Sequence, residues 1–424
     1  MKSKTKKILI PIIAVLSAVL IFFLGFFTRE LTYSSLKKTA LYILDKYEKY
    51  YYYESDDVID VISDAIFDKY SKYMTKEEYQ LVTENAYGRN QGIGVSFAGS
   101  SLKISNVLYN SPCDKAGVKA GGTVVAVKID GVDKPFSDYQ GLFNILDGTN
   151  IGSTVSLSVD YNGLITTYDV VKSIYKRSYV TYIDNSGTYS FIDDGGMKLC
   201  LRNIDGITLP KTAYIRYDQF SGKGSGTDGS VGQLKSVLSK FSSNENKNLI
   251  LDLRNNGGGD MKILSEVAGL FVEKESDNQV LCLSKDKYQK ETKFYIKNSL
   301  YSTYGFEKII VLANQNTASA SEVLIGAMLD YDTQNKLTVV LDGFTENGQT
   351  TYRTYGKGIM QTTYLNVDGS AVKLTTAKMF WPKSNISIHG IGITETTSSK
   401  VKNATNGDAY QFALNLLKNK KNGL

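Results

Sequence analysis

The sequence predicts a multidomain protein of mixed α+β and α/β class, with a membrane helix, a helical segment, a small β-barrel and an α/β core. Three observations predict this class. An uncharged apolar run, residues 8–27, follows a lysine cluster. Short strands spaced by glycines then follow a stretch with helical periodicity. Later, residues 249–271 and 309–328 each have the pattern of a buried strand, a turn of small residues and a helix.

Composition limits the function classes. The 424 residues suggest two or three domains. Of the net charge of +6, four units come from Lys2, Lys4, Lys6 and Lys7, so the remaining chain is near neutral and nucleic-acid binding is not expected. The three cysteines are widely spaced and the single histidine is His389, so neither a disulfide framework nor a multi-histidine metal site is expected. No cofactor is predicted.

Residues 8–27 are predicted to be an uncleaved membrane anchor. As a helix they span ~30 Å, enough for a bilayer core. A signal peptide is the alternative, but its apolar stretch is usually shorter, and residues 26–29 offer no small-residue cleavage site. The basic tail, residues 1–7, should stay in the cytoplasm. The protein is therefore expected in the cell membrane, with a single span and its remaining chain outside the cytoplasm.

Residues 30–86 have helical periodicity and are predicted to form a helical N-terminal segment. One helix is expected to end at residues 70–74. Thr75, with Glu78 three residues later, then has the pattern of a capping box for another helix.

Residues 87–176 are predicted to form a small β-barrel with one helix, residues 137–146, and strands at 102–104, 124–127 and 155–159. The glycine loop Gly92-Ile93-Gly94-Val95 precedes the first strand, and its free amides can hold a C-terminal carboxylate. With Asn110-Ser111-Pro112 and Ala116-Gly117-Val118, this stretch resembles a PDZ domain, although Gly121-Gly122 stands where Gly-Asp is usual. The resemblance implies capture of peptide tails. A structural β-domain with an empty groove is the alternative.

The remaining residues, 177–424, contain two turns with candidate catalytic groups. Residues 255–260 form a glycine turn between a strand and a helix, but the Gly-Lys-Ser/Thr of a phosphate loop is absent, so its amides could instead hold an oxyanion. At the second turn, Ser319 stands before a helix whose first amides are free. Ser319 and Glu322 also fit a plain capping box. Ser321 is the alternative nucleophile, roughly 200° around the helix.

A serine nucleophile needs a base, and the sequence offers a lysine. In residues 355–361, glycines flank Lys357, and Gln361 lies an even number of residues further along a strand, on the same face. A lysine acts as a base only when neutral, so its ordinary pKa of about 10.4 must fall towards ~7–8. A solvated lysine is the alternative. His389 lies in a strand-like run, residues 386–392, and a structural role is favoured for it.

Three motifs in one order resemble the carboxyl-terminal processing peptidases of the S41 serine peptidase family, which have a ClpP/crotonase-like core. The resemblance implies that Ser319 is the nucleophile, Lys357 the general base and Gln361 its orienting partner. It implies an oxyanion hole from the backbone N–H of Ala320 and of either Gly258 or Gly259. The motifs are Thr317-Ala318-Ser319-Ala320-Ser321-Glu322, Asp252-Leu253-Arg254-Asn255-Asn256-x-Gly258-Gly259 and Tyr355-Gly356-Lys357-Gly358-x-x-Gln361.

The chain departs from the family pattern at two points. Gly257 replaces the usual proline, which loosens the glycine turn. The interval from Ser319 to Lys357 is longer than usual, and residues 344–353 are predicted to be an inserted hairpin that turns at Asn347-Gly348. If the insertion packs as a hairpin, the lysine can still reach the serine.

The function predicted is that of a membrane-anchored serine endopeptidase that cuts near the C-termini of exported proteins after its PDZ domain captures the tail. Its partners would be proteins with exposed C-terminal tails, and whether it also needs a second copy or an activating partner is left open. The alternative is a tethered PDZ module with a lapsed hydrolase core.

Overall fold

The computed structural model describes residues 40, 42, 43, 65–86, 89–97, 101–108, 110–191, 197–199, 209–222, 229–346, 348–405 and 408–419. Contacts divide the chain into two units, Met1–Asp68 and Lys69–Leu424. The predicted basic tail and membrane anchor lie outside the described residues. Within the described part, none of the helices is both long and apolar enough to cross a membrane.

The second unit begins with a strand, β1 (Lys72–Met74), followed by helix α1 (Lys76–Ala86). The Thr75 capping box is confirmed, because the Glu78 N–H donates to Thr75 Oγ1 at 3.2 Å and the Thr75 N–H donates to Glu78 Oε2 at 2.8 Å. The prediction that residues 30–86 are helical is wrong at β1. The backbone there pairs antiparallel with the edge of the strand Ala371–Phe380, and that pairing outweighs helical periodicity in so short a segment.

Residues 89–176 form a β-domain of three antiparallel sheets around one apolar core. They are β2–β9, β3–β4 and β6–β5–β7–β8, so the strands do not close into a single barrel sheet. Side chains alternate between core and surface along β7, where Val155, Leu157 and Val159 are buried. The elements are β2 (Arg89–Gly92), β3 (Val95–Phe97), β4 (Ile104–Val107), α2 (Pro112–Lys115), β5 (Thr123–Ile129), β6 (Val132–Asp133), α3 (Tyr139–Asp147), β7 (Thr154–Tyr161), β8 (Leu164–Val171) and β9 (Ser173–Lys176).

The core contains an eight-stranded mixed sheet of order β12-β11-β10-β13-β14-β17-β18-β23. The run from β13 to β23 is parallel, and its inner strands are apolar on both faces, as buried parallel strands are. These strands are β10 (Val180–Asp184), β11 (Gly187–Phe191), β12 (Met197–Leu199), β13 (Thr212–Tyr217), β14 (Asn248–Asp252), β17 (Lys308–Ala313), β18 (Leu337–Leu341) and β23 (Val401–Asn403).

Helices cover both faces of this sheet. Ile309 and Val311 of β17 pack with three helices on one face, whereas Ile310 and Leu312 pack with the C-terminal helix on the other. The three helices are α4 (Ser230–Ser243), α5 (Met261–Phe271) and α6 (Ala320–Tyr331), and the C-terminal helix is α7 (Ala409–Asn419). The predicted strand–turn–helix units at 249–271 and 309–328 are thereby confirmed.

A second sheet and a small hairpin complete the core. The sheet joins β1, β22, β15 and β16, with β21 on the other side of β22. The run 386–392, predicted to be strand-like, forms turns instead, with positive φ at Gly390 and Gly392. The elements are β15 (Val280–Asp286), β16 (Glu291–Tyr295), β19 (Phe344–Glu346), β20 (Gln349–Thr351), β21 (Ile359–Leu365) and β22 (Ala371–Phe380).

Candidate active site

The serine turn lies where the parallel strand β17 passes into helix α6. Ser319 precedes the helix with φ 57° and ψ −117°, angles that residues other than glycine rarely adopt. Such strain persists only where surrounding contacts enforce it. Here the Ala318 N–H donates to the Asn256 carbonyl and the Val323 N–H to the Ser319 carbonyl, both at 3.0 Å. Ser319 lies on the wall of a cavity beside the first turn of the helix.

The two serines of the turn have different surroundings. Ser321 is fully buried, and its hydroxyl donates to the Asn256 carbonyl at 2.9 Å. It does not line the cavity, whereas Ser319 does. Ser321 therefore ties the serine turn to the glycine turn, and Ser319 is the serine within reach of a bound molecule.

Lys357 lies just before β21 and lines the same cavity as Ser319. Its Nζ donates to Gln361 Oε1 at 2.8 Å. Gln361 Nε2 in turn donates to the backbone carbonyl of Tyr70, and the Tyr70 ring centroid is 5.3 Å from Lys357 Nζ. The predicted contact between lysine and glutamine is present, but simple strand alternation does not explain it, because β21 bulges between Met360 and Gln361.

Glu322 joins the serine turn to the lysine loop, a role larger than the capping predicted from the sequence. Its carboxylate is fully buried and accepts from the Ser319 N–H at 2.9 Å, the Gly356 N–H at 2.8 Å and the Lys357 N–H at 2.9 Å. The Thr354 hydroxyl also donates to it, at 2.5 Å. Burial raises the pKa of Glu322 above its ordinary value, and these four hydrogen bonds oppose that rise.

The glycine turn approaches the serine turn at one position. A Cβ on Gly258, whose φ is +98°, would lie 2.7 Å from the Ala320 nitrogen, whereas one on Gly259 would lie 2.1 Å from the Phe220 carbonyl oxygen. Gly257 has open space at that position. Gly258 is therefore the glycine beside Ser319, although its N–H donates to Asn256 Oδ1 at 2.9 Å. The Ala320 N–H opens helix α6, so it has no carbonyl one turn earlier in that helix.

The predicted insertion forms a hairpin. Strands β19 and β20 pair antiparallel between Phe344 and Thr351, and Arg353 is ion-paired with Glu346 at 2.6 Å. The turn residue Asn347 lies outside the described residues. After the hairpin, the Tyr355 N–H donates to the Thr317 carbonyl at 3.0 Å. The extra residues therefore pair with each other, and the lysine loop returns to the serine turn.

A cavity of about 540 Å³ joins these groups to the β-domain. Ser319, Lys357 and the Gly257–Gly259 turn lie on its wall, as do residues of β3 and β4 such as Phe97 and Asn106. Several apolar side chains also line it, including Met261, Val323, Ile359 and Met379. A peptide in this cavity could therefore touch the serine, an apolar surface and the β-domain together.

The predicted carboxylate loop lies outside this cavity. Gly92 ends β2 and Val95 begins β3, while the carbonyls of Ile93 and Gly94 accept from the Cys113 and Leu108 N–H groups at 2.9 and 2.8 Å. The strand that follows the loop does reach the cavity, through Ser96 and Phe97. Ser319 therefore lines the cavity, and the predicted carboxylate loop does not. His389 is also absent from the cavity wall, and its ring centroid lies 6.3 Å from that of Tyr70.

Sequence reasoning missed three contributors. Tyr70 gave no signal, because its contact is a backbone carbonyl nearly 300 residues from Gln361. Asn256 is fully buried, and its side chain donates to the Tyr217 carbonyl and accepts from Gly258. Glu322 was recognisable only as a cap, since its contacts to the lysine loop require the folded chain.

Comparison with known proteins finds a family match within the core. Residues 211–399 match the model of Peptidase family S41. Two relatives, the probable CtpA-like serine proteases of Staphylococcus saprophyticus subsp. saprophyticus and Staphylococcus haemolyticus, are each 29% identical to the chain. The alignments cover 79% and 81% of this chain but 58% and 59% of those relatives. The chain thus spans less than two thirds of their length.

Two solved structures share the fold. The photosystem II D1 C-terminal processing protease aligns with a TM-score of 0.51 at 21% identity, over 84% of this chain and 85% of that one. A putative S41 protease from Bacteroides fragilis aligns with a TM-score of 0.51 at 14% identity, over 87% of this chain and 92% of that one. At these identities the likeness establishes the fold alone.

Proposed function

Since residues 211–399 belong to peptidase family S41, we propose that this chain is a serine endopeptidase that cleaves peptide bonds near the C-termini of proteins. The observation that carries the proposal is the Lys357 Nζ to Gln361 Oε1 hydrogen bond of 2.8 Å, on the wall of the cavity that Ser319 also lines. Glu322 supports it by holding the Ser319 and Lys357 backbones to one carboxylate.

The acylation step uses Lys357 as general base. Neutral Lys357 takes the proton of Ser319 as its Oγ attacks the carbonyl carbon of the scissile peptide bond. The resulting oxyanion accepts hydrogen bonds from the Ala320 N–H and the glycine turn. Gly258 is favoured over Gly259 because it packs against Ser319, and its N–H would exchange Asn256 Oδ1 for the oxyanion.

The intermediate then collapses and the enzyme is regenerated. The carbon–nitrogen bond breaks, and the Lys357 ammonium returns its proton to the departing amine, which leaves an acyl group on Ser319. A water molecule gives a proton to Lys357 and attacks the acyl carbon, and the proton returns to Ser319 as the acid product leaves. Gln361 keeps the amine in place throughout without adding a charge.

Residues 87–176 act as a PDZ domain in this proposal and capture the substrate tail. The loop from Gly92 to Val95 would hold the tail's carboxylate, and the tail would lie between β3 and helix α3. Phe97 of β3 and Tyr139 of helix α3, with ring centroids 5.6 Å apart, are in edge-to-face contact where these two elements meet. Because β3 also contributes to the cavity wall, a captured tail could continue towards Ser319.

Membrane anchoring through residues 8–27 is part of the same proposal and rests on the apolar run alone. The catalytic part would then act on exported proteins outside the cytoplasm. Membrane fractions of producing cells should retain the protein after a carbonate wash, and protease added to intact spheroplasts should digest it. Release by the wash would contradict the anchor while leaving the peptidase proposal intact.

Replacement of Ser319 tests the peptidase proposal. Ser319→Ala should abolish cleavage of a folded reporter protein with an apolar C-terminal tail, measured by intact mass spectrometry, while tail binding and melting temperature stay near the parent values. Ser321→Ala is the matched control, because it removes a structural hydrogen bond: activity should persist with a lower melting temperature. Cleavage by Ser319→Ala would reject the assignment. Tail binding without cleavage by the parent protein would instead favour a tethered binding module.

A further inference from the structure

Arg177 places a positive charge on the cavity wall, where the described residues supply no matching anion. Among the described residues, three charged ones line the cavity, and the other two are Asp218 and Lys357. Asp218 is ion-paired with Arg216 at 2.8 Å, and Lys357 holds Gln361. Within the described part of the chain, no carboxylate comes within ion-pair distance of Arg177, whose contacts are to neutral groups. Among the described residues, the Arg177 guanidinium therefore has no anionic partner on the cavity wall.

The guanidinium is held by neutral neighbours and keeps an unused donor. Arg177 Nη1 donates to Gln219 Oε1 at 2.5 Å, and the guanidinium carbon lies 5.3 Å from the Tyr179 ring centroid. Nε is buried and has no acceptor among the described residues. A buried charged donor left without an acceptor is costly, so native proteins keep few, and those few call for an explanation.

The backbone of Arg177 is fixed independently of any ligand. Arg177 lies between β9 and β10, where the β-domain joins the core. Gln233 of helix α4 donates to the Arg177 carbonyl at 3.2 Å and accepts from the Tyr179 N–H at 2.7 Å. The segment that carries Arg177 is thus tied to helix α4 by two hydrogen bonds, and Arg177 itself lines the cavity.

We propose that the Arg177 guanidinium binds a carboxylate of the substrate peptide in this cavity. The inference rests on the proposed peptidase function and adds a specificity-determining residue to it. A carboxylate supplies the acceptor that Nε lacks, once the guanidinium turns that edge to the cavity. A guanidinium can bind one carboxylate through two parallel N–H···O hydrogen bonds. Since Arg177 lies where the β-domain joins the core, and that domain is proposed to hold the substrate tail, the carboxylate belongs to the segment that leaves after cleavage.

The carboxylate has two sources, which peptide pairs distinguish. One series compares Glu with Gln at each position after the scissile bond, and another compares a free C-terminus with an amidated one. The parent enzyme should cleave the acidic member of one pair about tenfold faster by kcat/KM, a difference of about 1.4 kcal/mol. A preference in the first series identifies an acidic side chain. A preference in the second series identifies the peptide's own terminus only where Arg177→Gln removes it, because the Gly92–Val95 loop is also proposed to hold that terminus.

Variants of Arg177 decide whether this side chain is responsible. Arg177→Gln should reduce the acid-to-amide ratio to less than twofold, and Arg177→Lys should keep part of it, because a charge remains without the fork. Lys293→Gln removes a charge from an exposed residue away from the cavity, and it should leave the ratio at the parent value. A ratio unchanged in Arg177→Gln, or a parent enzyme without preference, would overturn the inference.

Binding measured without cleavage separates this inference from the proposed function. In a Ser319→Ala background, fluorescence anisotropy with labelled peptides should show the same acid preference in Kd, and Arg177→Gln should remove it. If the parent chain cleaves no peptide but this preference is found, the carboxylate site stands and the peptidase proposal fails. If peptides are cleaved but Arg177→Gln binds the acidic and the amide peptide with the same Kd values as the parent, the carboxylate site is rejected and the peptidase proposal stands. Where Arg177→Gln does not fold, Arg177→Lys supplies the comparison.

Discussion

At the scale of single residues, the candidate site depends on a few residues whose conformation is fixed by their neighbours. Ser319 has a positive φ that its neighbours must enforce, and Glu322 accepts hydrogen bonds from both sides of the site. The lysine, by contrast, is held by an uncharged partner, Gln361. Substitutions should therefore test two properties. One is the charge of the residue at position 361, and the other is the side-chain volume in the glycine turn.

Gln361→Glu should move the pH–rate profile to higher pH. The change is nearly isosteric but places a carboxylate against Lys357 Nζ. An opposite charge at such a distance stabilises the protonated amine and raises its pKa by about 1–3 units. Cleavage at pH 7 should fall by about 10- to 1000-fold and recover as pH rises, because the base works only when neutral. Measuring kcat/KM from pH 6 to 11 checks this. Gln361→Met, uncharged and without the acceptor, is the control, and an equal loss at every pH would contradict the charge argument.

Gly258→Ala should inactivate the protein, whereas Gly257→Ala should not. At Gly258 an added Cβ meets the Ala320 nitrogen at 2.7 Å and the backbone has φ +98°, so the glycine turn must move away from Ser319. Loss of one oxyanion donor lowers kcat by about 10²–10³-fold. At Gly257 the Cβ meets nothing within 4 Å. Comparable kcat values for the two variants would remove Gly258 from the proposed oxyanion hole.

At the scale of elements, one buried lysine holds the C-terminal end of helix α3, which borders the proposed tail groove. Lys172 of the β8–β9 junction is buried, and its Nζ donates to the carbonyls of Leu146, Asp147 and Thr149 at 2.7–2.9 Å. The carbonyls of Leu146 and Asp147 lie in the last turn of helix α3 and have no partner within it, and Thr149 follows the helix by two residues. The ammonium therefore caps the helix that lines the proposed tail groove.

Lys172→Met should loosen helix α3 by at least about 2 kcal/mol, because even one hydrogen bond to a charged group contributes about 1.5–3 kcal/mol, while methionine fills much of the space. Native-state hydrogen exchange of residues 139–149 measures the opening free energy of this element directly. Lys134→Met, at an exposed position, serves as the reference and should change it by less than about 0.5 kcal/mol. Equal exchange in both variants would show that the cap contributes nothing.

At the scale of the whole molecule, capture and cleavage are assigned to different parts of one compact unit. The loop from Gly92 to Val95 lies outside the cavity that contains Ser319, and β3 connects the two places. Arg216 of β13 also donates to Asn106 of β4 at 2.7 Å, so the β-domain is held directly to a core strand. Damage to the loop should accordingly affect long substrates and spare short ones.

Gly94→Ala should lower kcat/KM for a tailed reporter protein at least tenfold but alter cleavage of a short peptide around the same bond less than threefold. An added Cβ would lie 1.9 Å from the Ser111 Cβ, at φ +86°, so the loop cannot keep its shape. Gly163→Ala carries the same kind of backbone strain, φ +93°, with open space around it, and controls for that strain. Equal losses for both substrates would indicate global damage instead of lost tail capture.

Much of this protein was predictable from local patterns. The two strand–turn–helix units and the position of Ser319 before helix α6 follow from hydrophobic period and glycine spacing. The contact of Lys357 with Gln361 and the inserted hairpin follow from the family motifs and the turn residues, and not from strand period. The errors fell where pairing is non-local, as at β1, whose edge partner lies about 300 residues away. The anchor and the carboxylate loop remain predictions.

Sequence by itself determined which residue types are present and which local elements they form, because backbone period and turn chemistry act over a few neighbours. Only the tertiary structure placed Ser319, and not Ser321, on the cavity wall, brought Gly258 against the serine turn and gave Glu322 its hydrogen bonds to the lysine loop. These outcomes depend on close packing between segments tens of residues apart. A distance of a few ångströms between such segments is set by the whole folded core, which no short window of sequence contains.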